Sequence, residues 1–553
     1  MNFYERDKNL QHLLKSRWDE SFFQWADEKL SQFGALCAGD IDRRARHTDR
    51  EGQPQLIKYD KMGNDISEVW LNEGYKKTIE ETYGEGIVGY LHKNIPSLGH
   101  KGDYTYSFAQ GYLLSQAEPG FYCPVTLTMA TAYLIDHYAS SELKEKFLPH
   151  VSSTGEVELY EGATFLTERQ GGSDVGANEV KAIKEGDHYR IHGEKYFASN
   201  AGACGVAMVL ARTEEAPPGT RGLSLFLVPW RKEDGTLNGI QIRRLKDKLG
   251  VRAVPSAEVE FIGAKAYMVG KADRGFYYMM EALNLSRVCN AIASIGIMRR
   301  SLNEAVDYAA ERNAFGNTLI QYPMVKDTLV SLSVKQEVET RAVFDLIQGF
   351  EKVAREPENS TDEEQVLNRL RIAIMKKETA EQAVSFTHEA IEMHGGNGYI
   401  EDFVTPRLLR DAQVLTVWEG TANILGLEVL KLFNKYQAHE LFITHMNDRL
   451  EGIDRKGNQH ALVKEAVLSF LIYVEDVLKQ APDVQTYYSK SLAEKMALLY
   501  EGVVALEMAE EGGRYQKVAE LFIHKNFEKE KASADPLTLR YANDILNLDK
   551  AFA

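Results

Sequence analysis

Hydrophobic residues between positions 8 and 33 recur at the spacing of one helical face. The members of this stripe are Leu10, Leu13, Leu14, Trp18, Phe22, Ala26, Leu30 and Phe33. Helix-like spacing continues to about residue 150, interrupted by turn signals at Gly63-Asn64-Asp65 and at Pro96. The longest apolar run, roughly Phe121 to Ile135, is shorter than the roughly 18–20 residues of a membrane span and indicates a buried helix. We therefore predict an N-terminal helical domain over residues 1–160.

Between about residues 161 and 265 the pattern changes to short alternating runs separated by turn residues. Alternation with a period of two is typical of strands with one buried face. The strand candidates are Tyr189–Gly193, Val206–Leu210, Leu223–Val228 and Ala257–Phe261, and loop signals lie at Gly171-Gly172, Pro217-Pro218-Gly219 and Asp234-Gly235. This pattern predicts a middle β domain over residues 161–265.

Helical spacing returns after Gly275 and continues almost to the end of the sequence. The polar, acidic stretch Pro357–Gln365 predicts a loop between two helices. We predict a C-terminal helical bundle domain over residues 266–437 and an extra helical region over residues 438–553. The predicted fold class is therefore α+β and mostly α.

Composition narrows the class of protein further. At 553 residues the chain is too long for a single hydrophobic core. Its net charge of −16, from 65 basic and 81 acidic side chains, disfavours a broad contact with nucleic acid or with an anionic membrane. The four cysteines are far apart and show no metal-ligand spacing, so no metal site is expected. These scattered cysteines, together with the charged N-terminal segment, predict a cytoplasmic protein with reduced thiols.

One carboxylate stands out in the second helical part. Glu419 lies between the apolar residues Leu415, Val417 and Trp418 and a glycine, Gly420, that precedes an apolar helix-like run. Burial raises the pKa of a carboxylic acid, so a Glu in such a place can act as a general base near neutral pH. The alternative is a glutamate in the first turn of a helix, stabilised by the helix dipole.

Five further stretches carry glycines, hydroxyls or arginines, which are residue types that can bind a ligand. Glycines let backbone amides approach a ligand, hydroxyls supply donors and acceptors, and Arg donates bidentately to phosphate. Each stretch alone also fits a plainer role, such as a glycine-rich turn, an amphipathic strand or a surface arginine. The five stretches are Phe165–Asp174 (FLTERQGGSD), Lys195–Asn200 (KYFASN), Asn284–Arg287 (NLSR), Glu311–Gly316 (ERNAFG) and Glu392–Tyr399 (EMHGGNGY).

In this order, the five stretches and Glu419 resemble the acyl-CoA dehydrogenase flavoproteins over about residues 60–437. The resemblance implies that family's fold, with a β-barrel-like middle domain between helical ones. Cys123–Thr128, Lys246–Gly250, the VWEGTANI segment and the additional helical region resemble the adaptive-response (AidB-type) subfamily. For that subfamily's C-terminal region, DNA binding has been proposed.

The resemblance implies a role for each matching residue. Non-covalent FAD would be bound by Phe165, Thr167, Gly172, Ser173, Phe197, Ser199, Arg312, Phe315, Gln321, Glu392, Gly395, Gly396, Thr421 and Asn423. The acyl-CoA would be bound by Ser173, Ser286, Arg287 and Gly420. The sequence departs from the family pattern at Arg169, where proline is usual, at Phe197, where tryptophan is usual, and at Asn284, where aspartate is usual. The closing glutamine of the fourth motif falls on Pro323, with Gln321 two residues earlier.

The implied activity is FAD-dependent dehydrogenation of an acyl-CoA to a trans-2-enoyl-CoA. Glu419 would abstract the α-proton, and the β-hydride would pass to flavin N5. One alternative is an AidB-type DNA-binding stress protein with vestigial dehydrogenase activity, and another is a flavin oxidase or monooxygenase. The implied partners are an acceptor such as an electron-transfer flavoprotein and three further copies of the chain in a homotetramer. DNA is disfavoured by the charge, and no membrane is expected.

Overall fold

The computed structural model describes residues 2–529 and 532–547. The chain divides into two compact units, unit 1 (Met1–Cys289) and unit 2 (Asn290–Ala553). The division falls inside one long helix, α10 (Gly275–Glu311). Among the described residues, no helix combines the length and the apolar character that crossing a membrane requires.

Helices form the first part of unit 1. They are α1 (Phe3–Arg6), α2 (Lys8–Lys15), α3 (Glu20–Leu36), α4 (Asp42–Arg50), α5 (Glu73–Gly84), α6 (Gly89–His92), α7 (Tyr104–Ser115), α8 (Pro119–Tyr138) and α9 (Ser141–Val151). Carboxylate and amide side chains cap several of them, as Asp19 does for α3 and Asn72 for α5. The apolar run predicted as a buried helix lies in α8, which is buried over most of its length.

The first unit also contains a β-hairpin that the helical prediction for residues 1–160 missed. Strands β1 (Gln55–Tyr59) and β2 (Asp65–Trp70) pair antiparallel, with the Gly63-Asn64-Asp65 turn signal at their connection. Side chains of β1 alternate between exposed and half-buried, which is the period of a strand. The turn signal was therefore recognised, but the elements on either side of it were misassigned.

The middle of unit 1 is a closed sheet. Its strands are β3 (Gly162–Phe165), β4 (Lys181–Glu185), β5 (His188–Ser199), β6 (Val206–Thr213), β7 (Leu223–Pro229), β8 (Ile240–Leu245) and β9 (Ser256–Val269). Strands β6, β4, β5, β9 and β7 pair in that order, and β6 also pairs with β7, which closes the ring. Side chains such as Ile191, Val209 and Phe226 fill its interior. This closure confirms the β-barrel-like domain, and β3, β4 and β8 are strands that the alternation did not reveal.

In the described residues of unit 2, the strands form one short hairpin, β10 (Asn313–Ala314) and β11 (Asn317–Thr318), and the other long elements are helices. Its helices after α10 are α11 (Pro323–Arg355), α12 (Asp362–His394), α13 (Thr405–Leu415), α14 (Ala422–Tyr436), α15 (Ala438–Gly452), α16 (Asn458–Leu478), α17 (Pro482–Glu510), α18 (Gly513–Phe527) and α19 (Leu537–Leu546). The loop predicted over Pro357–Gln365 is shorter than expected, because Thr361 and Glu364 form a capping box that begins α12 at Asp362.

The extra helical region packs on the bundle of its own chain. Helix α17 contacts α11, α12 and α14. At this contact Lys335 is surrounded by three glutamates, with its Nζ 3.0 Å from Glu339, 2.9 Å from Glu378 and 2.7 Å from Glu501. Burial raises the pKa of Glu501 to about 7 despite the nearby Lys335. We call these four residues the carboxylate cluster; it joins the two helical regions through buried charge.

Candidate active site

The candidate base lies in the turn between α13 and α14. Glu419 has a left-handed backbone with φ of 55°, and Gly420 follows with φ of 109°. A non-glycine residue in the left-handed region costs on the order of 1 kcal/mol, so the surrounding structure must hold this turn. Helix α14 then begins after Thr421, which makes no capping bond through its side chain within the described chain. The exposed Thr421 hydroxyl and the exposed Asn423 are thus open to a ligand.

Two buried residues that the sequence reasoning missed hold this turn. The Asn290 side-chain amide donates to the Glu419 carboxylate at 2.7 Å and to the Leu415 carbonyl at 3.2 Å. The Lys376 ammonium donates to the Gly420 carbonyl at 2.8 Å. The sequence did contain a signal, since both are polar residues within apolar helical runs, but it does not show which partner such a residue meets.

The apolar surroundings predicted for Glu419 are only partly present in the chain. Leu415 is buried, whereas Val417 is 58% exposed. Trp418 and Glu419 are half-buried. The Glu419 side chain is therefore only partly shielded from solvent.

In unit 1 the candidate flavin residues lie at the ends of β3 and β5. Phe165 is buried in the barrel, and the loop that follows it carries the half-buried Thr167 and the exposed Gly172 and Ser173. A Cβ atom at Gly172 would lie 2.6 Å from the Thr167 hydroxyl, so a side chain at this position would force the Thr167 hydroxyl to move. The amide of Tyr196 in β5 donates to the Thr167 carbonyl at 3.0 Å, which joins the two motifs.

A buried ion pair, Lys195 and Glu168, holds the loop that follows β3. The Lys195 ammonium lies 2.8 Å from the Glu168 carboxylate and 3.2 Å from the Leu166 carbonyl. The other Glu168 oxygen accepts from the amide of Glu179 at 2.6 Å. Burial lowers the pKa of Lys195 to about 8, against the opposing effect of Glu168. The ion pair thus holds the backbone at Leu166 and Glu179, at the two ends of this loop.

Part of the second candidate flavin motif lies on the outer face of β5. Phe197 is 55% exposed, and its ring has the Lys246 ammonium 4.7 Å from its centre. Ser199 is half-buried, and its hydroxyl lies 3.3 Å from that of Ser256. An exposed aromatic ring beside hydroxyl groups suits stacking against a polar ring system.

In unit 2 the fourth motif forms the β10–β11 hairpin. Its two-residue turn is Phe315 (φ 51°) and Gly316 (φ 89°), both left-handed as such hairpin turns require. The Phe315 side chain is 98% exposed, and Arg312 and Gln321 on either side are exposed as well. An arginine and an aromatic ring are thus presented at the surface of unit 2.

The fifth motif lies beside this hairpin. Tyr308, one turn before Arg312, stacks on His394 with ring centres 4.2 Å apart. The amide of Asn397 donates to the Tyr308 hydroxyl at 3.1 Å. Gly395 and Gly396, with the neighbouring Glu392, are exposed, and a Cβ at either glycine would meet no atom within 4 Å. The structure therefore brings the Arg312 and diglycine motifs together.

The two substrate candidates on α10 in unit 1 are buried. The Ser286 hydroxyl donates to the Ala282 carbonyl at 3.1 Å, inside its own helix. The Arg287 guanidinium donates to the Asn284 side chain at 3.3 Å.

The donor set in both units suits FAD. Thr167, Ser173, Ser199 and Thr421 offer hydroxyl groups, and Arg312 offers an exposed guanidinium suited to phosphate. Gly395 and Gly396 leave the backbone open to a ligand, as a diphosphate site needs. Each unit therefore carries residue types that can bind part of a flavin dinucleotide.

Three family descriptions match consecutive parts of the chain. They are the adaptive response protein AidB N-terminal domain over residues 1–155, the acyl-CoA dehydrogenase middle domain over residues 163–263 and the acyl-CoA dehydrogenase C-terminal domain over residues 273–431. The acyl-CoA dehydrogenase family member 11 of Caenorhabditis elegans is 32% identical over 529 residues, covering 92% of this chain and 84% of that protein. The chain belongs to the acyl-CoA dehydrogenase family, a family of oxidoreductases.

Two further relatives refine this placement. The putative acyl-CoA dehydrogenase AidB of Escherichia coli (strain K12) is 29% identical, over 79% of this chain and 78% of that protein. The crystal structure of Caenorhabditis elegans ACDH-11 in complex with C11-CoA matches with a TM-score of 0.87 and 28% identity, covering 100% of this chain and 95% of that one. The predicted fold class and the AidB-type resemblance are confirmed.

Proposed function

We propose that this protein uses FAD to dehydrogenate an acyl-CoA thioester between its α and β carbons, with Glu419 as the base. The observation that carries the proposal is the Glu419 turn, where a half-buried carboxylate is held by the Asn290 amide. A carboxylate that is oriented and only partly hydrated is suited to accept a proton from carbon. The presence of this carboxylate favours dehydrogenation over a vestigial site.

In this mechanism, Glu419 removes the α-proton of the thioester and becomes protonated. Negative charge then develops on the thioester oxygen, and the backbone N–H of Glu419 is the donor that we assign to it. When bound, FAD supplies at N5 the acceptor for the β-hydride, so that a trans-2-enoyl-CoA results. We assign the flavin ring to Thr167, Ser199 and Phe197.

The substrate class is supported by the solved relative, which was crystallised with C11-CoA. A straight acyl chain of similar length is the first substrate to test. An electron-transfer flavoprotein is the proposed acceptor, because a dehydrogenase must be reoxidised after each turnover. We also propose a homotetramer, in which the exposed Arg312 and the Gly395-Gly396 turn would serve the FAD of a neighbouring subunit.

The test is an anaerobic titration of the flavin-loaded protein with acyl-CoAs of graded chain length. We expect loss of the visible flavin absorbance with wild type, and in Glu419→Gln a reduction rate lower by ~10²–10⁴-fold, the usual contribution of a general base. Glu440→Gln, exposed in the first turn of α15, is the control and should behave as wild type.

Three outcomes would contradict parts of the proposal. Bleaching of Glu419→Gln at the wild-type rate would mean that another residue is the base. A protein that remains colourless after incubation with FAD would exclude a flavoenzyme. Rapid reoxidation of the reduced flavin by oxygen would favour an oxidase or monooxygenase on the same fold.

A further inference from the structure

We propose that Asn290 is a positioning residue that holds Glu419 in its ionised, proton-accepting form. The inference rests on the proposed function for the catalytic role of Glu419, but the contact itself belongs to the structure. Asn290 lies on α10 and is 4% exposed, so it is not a surface residue that meets Glu419 by chance. It acts through Glu419 and needs no contact of its own with substrate.

Both hydrogens of the Asn290 amide are used at the Glu419 turn. One lies toward the Glu419 carboxylate oxygen at 2.7 Å, and the other toward the Leu415 carbonyl at 3.2 Å. Leu415 ends α13, four residues before Glu419. The amide therefore ties the carboxylate to the end of the preceding helix.

The Leu415 carbonyl also determines which way the amide faces. A carbonyl only accepts hydrogen bonds, so it requires the nitrogen of Asn290 and not the oxygen. The same nitrogen can donate to an ionised Glu419 carboxylate. If the amide rotated so that its oxygen could accept from a protonated Glu419, that oxygen would face the Leu415 carbonyl oxygen, and the two would repel each other. This arrangement favours the charged form of Glu419, since a hydrogen bond to the charged form stabilises it.

The cost of the arrangement supports a role in function. The Asn290 side-chain oxygen is buried and has no hydrogen-bond partner among the described residues. An unpaired buried acceptor is unfavourable, and an apolar side chain at this position would avoid it. Stability alone therefore does not account for an asparagine here.

The backbone of the turn is held separately. Lys376 of α12 donates to the Gly420 carbonyl, which fixes the peptide that follows the left-handed Glu419. Other charged residues on the adjoining helices include Arg287 on α10, Arg407, Arg410 and Asp411 on α13, and Glu428, Lys431 and Lys435 on α14. Glu428 is paired with Arg369. Lys376 thus positions the backbone, while Asn290 positions the carboxylate.

The experiment compares Asn290→Leu and Asn290→Asp with wild type and with a matched control. Ser294→Ala is that control, because Ser294 is also buried on α10, one turn further, and its hydroxyl bonds only to the Asn290 carbonyl among the contacts resolved for it. Two properties are measured: the rate of anaerobic flavin reduction against pH, and the protonation of Glu419 by infrared difference spectroscopy. The Glu419 signal is the titrating carboxyl band that wild type shows and Glu419→Gln lacks.

In Asn290→Leu we expect FAD and acyl-CoA affinities within about threefold of wild type, and a midpoint for Glu419 protonation that is higher by about one to two pH units, the effect of one charge-assisted hydrogen bond. The acid limb of the pH–rate profile should move with it. Asn290→Asp is nearly isosteric and should move the midpoint in the same direction, because a second carboxylate then faces Glu419. Ser294→Ala should leave both unchanged.

An unmoved midpoint in either Asn290 variant would overturn the inference, even if the variant were slower for general structural reasons. Asn290→Asp decides the question if Asn290→Leu does not fold. The infrared titration requires no turnover. If wild type is not bleached by any acyl-CoA, the proposed function fails, while the titration still tests the Asn290 contact.

Discussion

Replacing Glu161 by glutamine should change how the stability of the protein depends on pH. Glu161 precedes β3 in unit 1, and its carboxyl is buried. It accepts a hydrogen bond from the Tyr83 hydroxyl at 2.9 Å, and that hydroxyl lies 2.9 Å from the one of Thr128. No cation pairs with Glu161 in the described part of the chain. Burial therefore raises the pKa of Glu161 to about 7, with the Tyr83 hydrogen bond opposing it.

The size and sign of the effect follow from this pKa. Between an ordinary value of 4.5 and about 7, the difference corresponds to about 3 kcal/mol. At pH values below 4.5 both folded and unfolded states hold the proton, and the fold has its full stability. As pH rises from 4.5 to 7 the unfolded state releases its proton first, so the free energy of unfolding falls by about 3 kcal/mol and then levels off.

The assay is denaturant unfolding of wild type and Glu161→Gln at several pH values between 4.5 and 8. Glutamine keeps an acceptor for Tyr83 but does not titrate, so the wild-type free energy of unfolding should decline by ~3 kcal/mol relative to the variant across this range. Glu142→Gln, on the exposed side of α9, is the matched control and should follow wild type. Parallel pH profiles for wild type and Glu161→Gln would refute the assignment of a buried, protonated Glu161.

Three further outcomes are expected. Lys335→Met should destabilise the contact of the extra helical region by ~3–5 kcal/mol, since it leaves buried glutamates without their cation. Proteolysis and denaturation measure this loss, with the exposed Lys352→Met as the control. Equal stability of the two variants would contradict the prediction. Arg312→Ala should lower FAD retention, measured by absorbance, and tetramer content, measured by light scattering. The control Arg231→Ala, at an exposed arginine, should lower neither. A fully flavinated monomer would count against this interpretation. Residues 441–553 carry 14 basic and 18 acidic side chains, so a duplex-DNA titration should show weak binding, and sub-micromolar affinity at ~150 mM salt would contradict the charge argument.

Much of the fold and the membership of the family could be predicted from the sequence alone. Helical spacing identified the helical regions, because an amphipathic stripe repeats locally along the chain. Alternation identified β5, β6, β7 and β9 for the same reason. The order of the glycine-rich, arginine and Glu419 motifs along the chain resembled one family, and the comparisons confirm that family. The boundaries of the four predicted domains and the individual cofactor contacts stay predictions.

Other features depended on partners distant in the sequence. The β1–β2 hairpin was missed because its strands are short and half-exposed, and the closing of the barrel by β6 and β7 is a pairing that local alternation does not encode. Asn290 meets Glu419 across 129 positions, and Lys335 meets Glu501 across 166. A buried polar residue in a helix can be recognised from its apolar neighbours, but its partner is decided only when helices pack. The sequence thus singled out Glu419 as the proposed base, and the tertiary structure decided what holds its carboxylate.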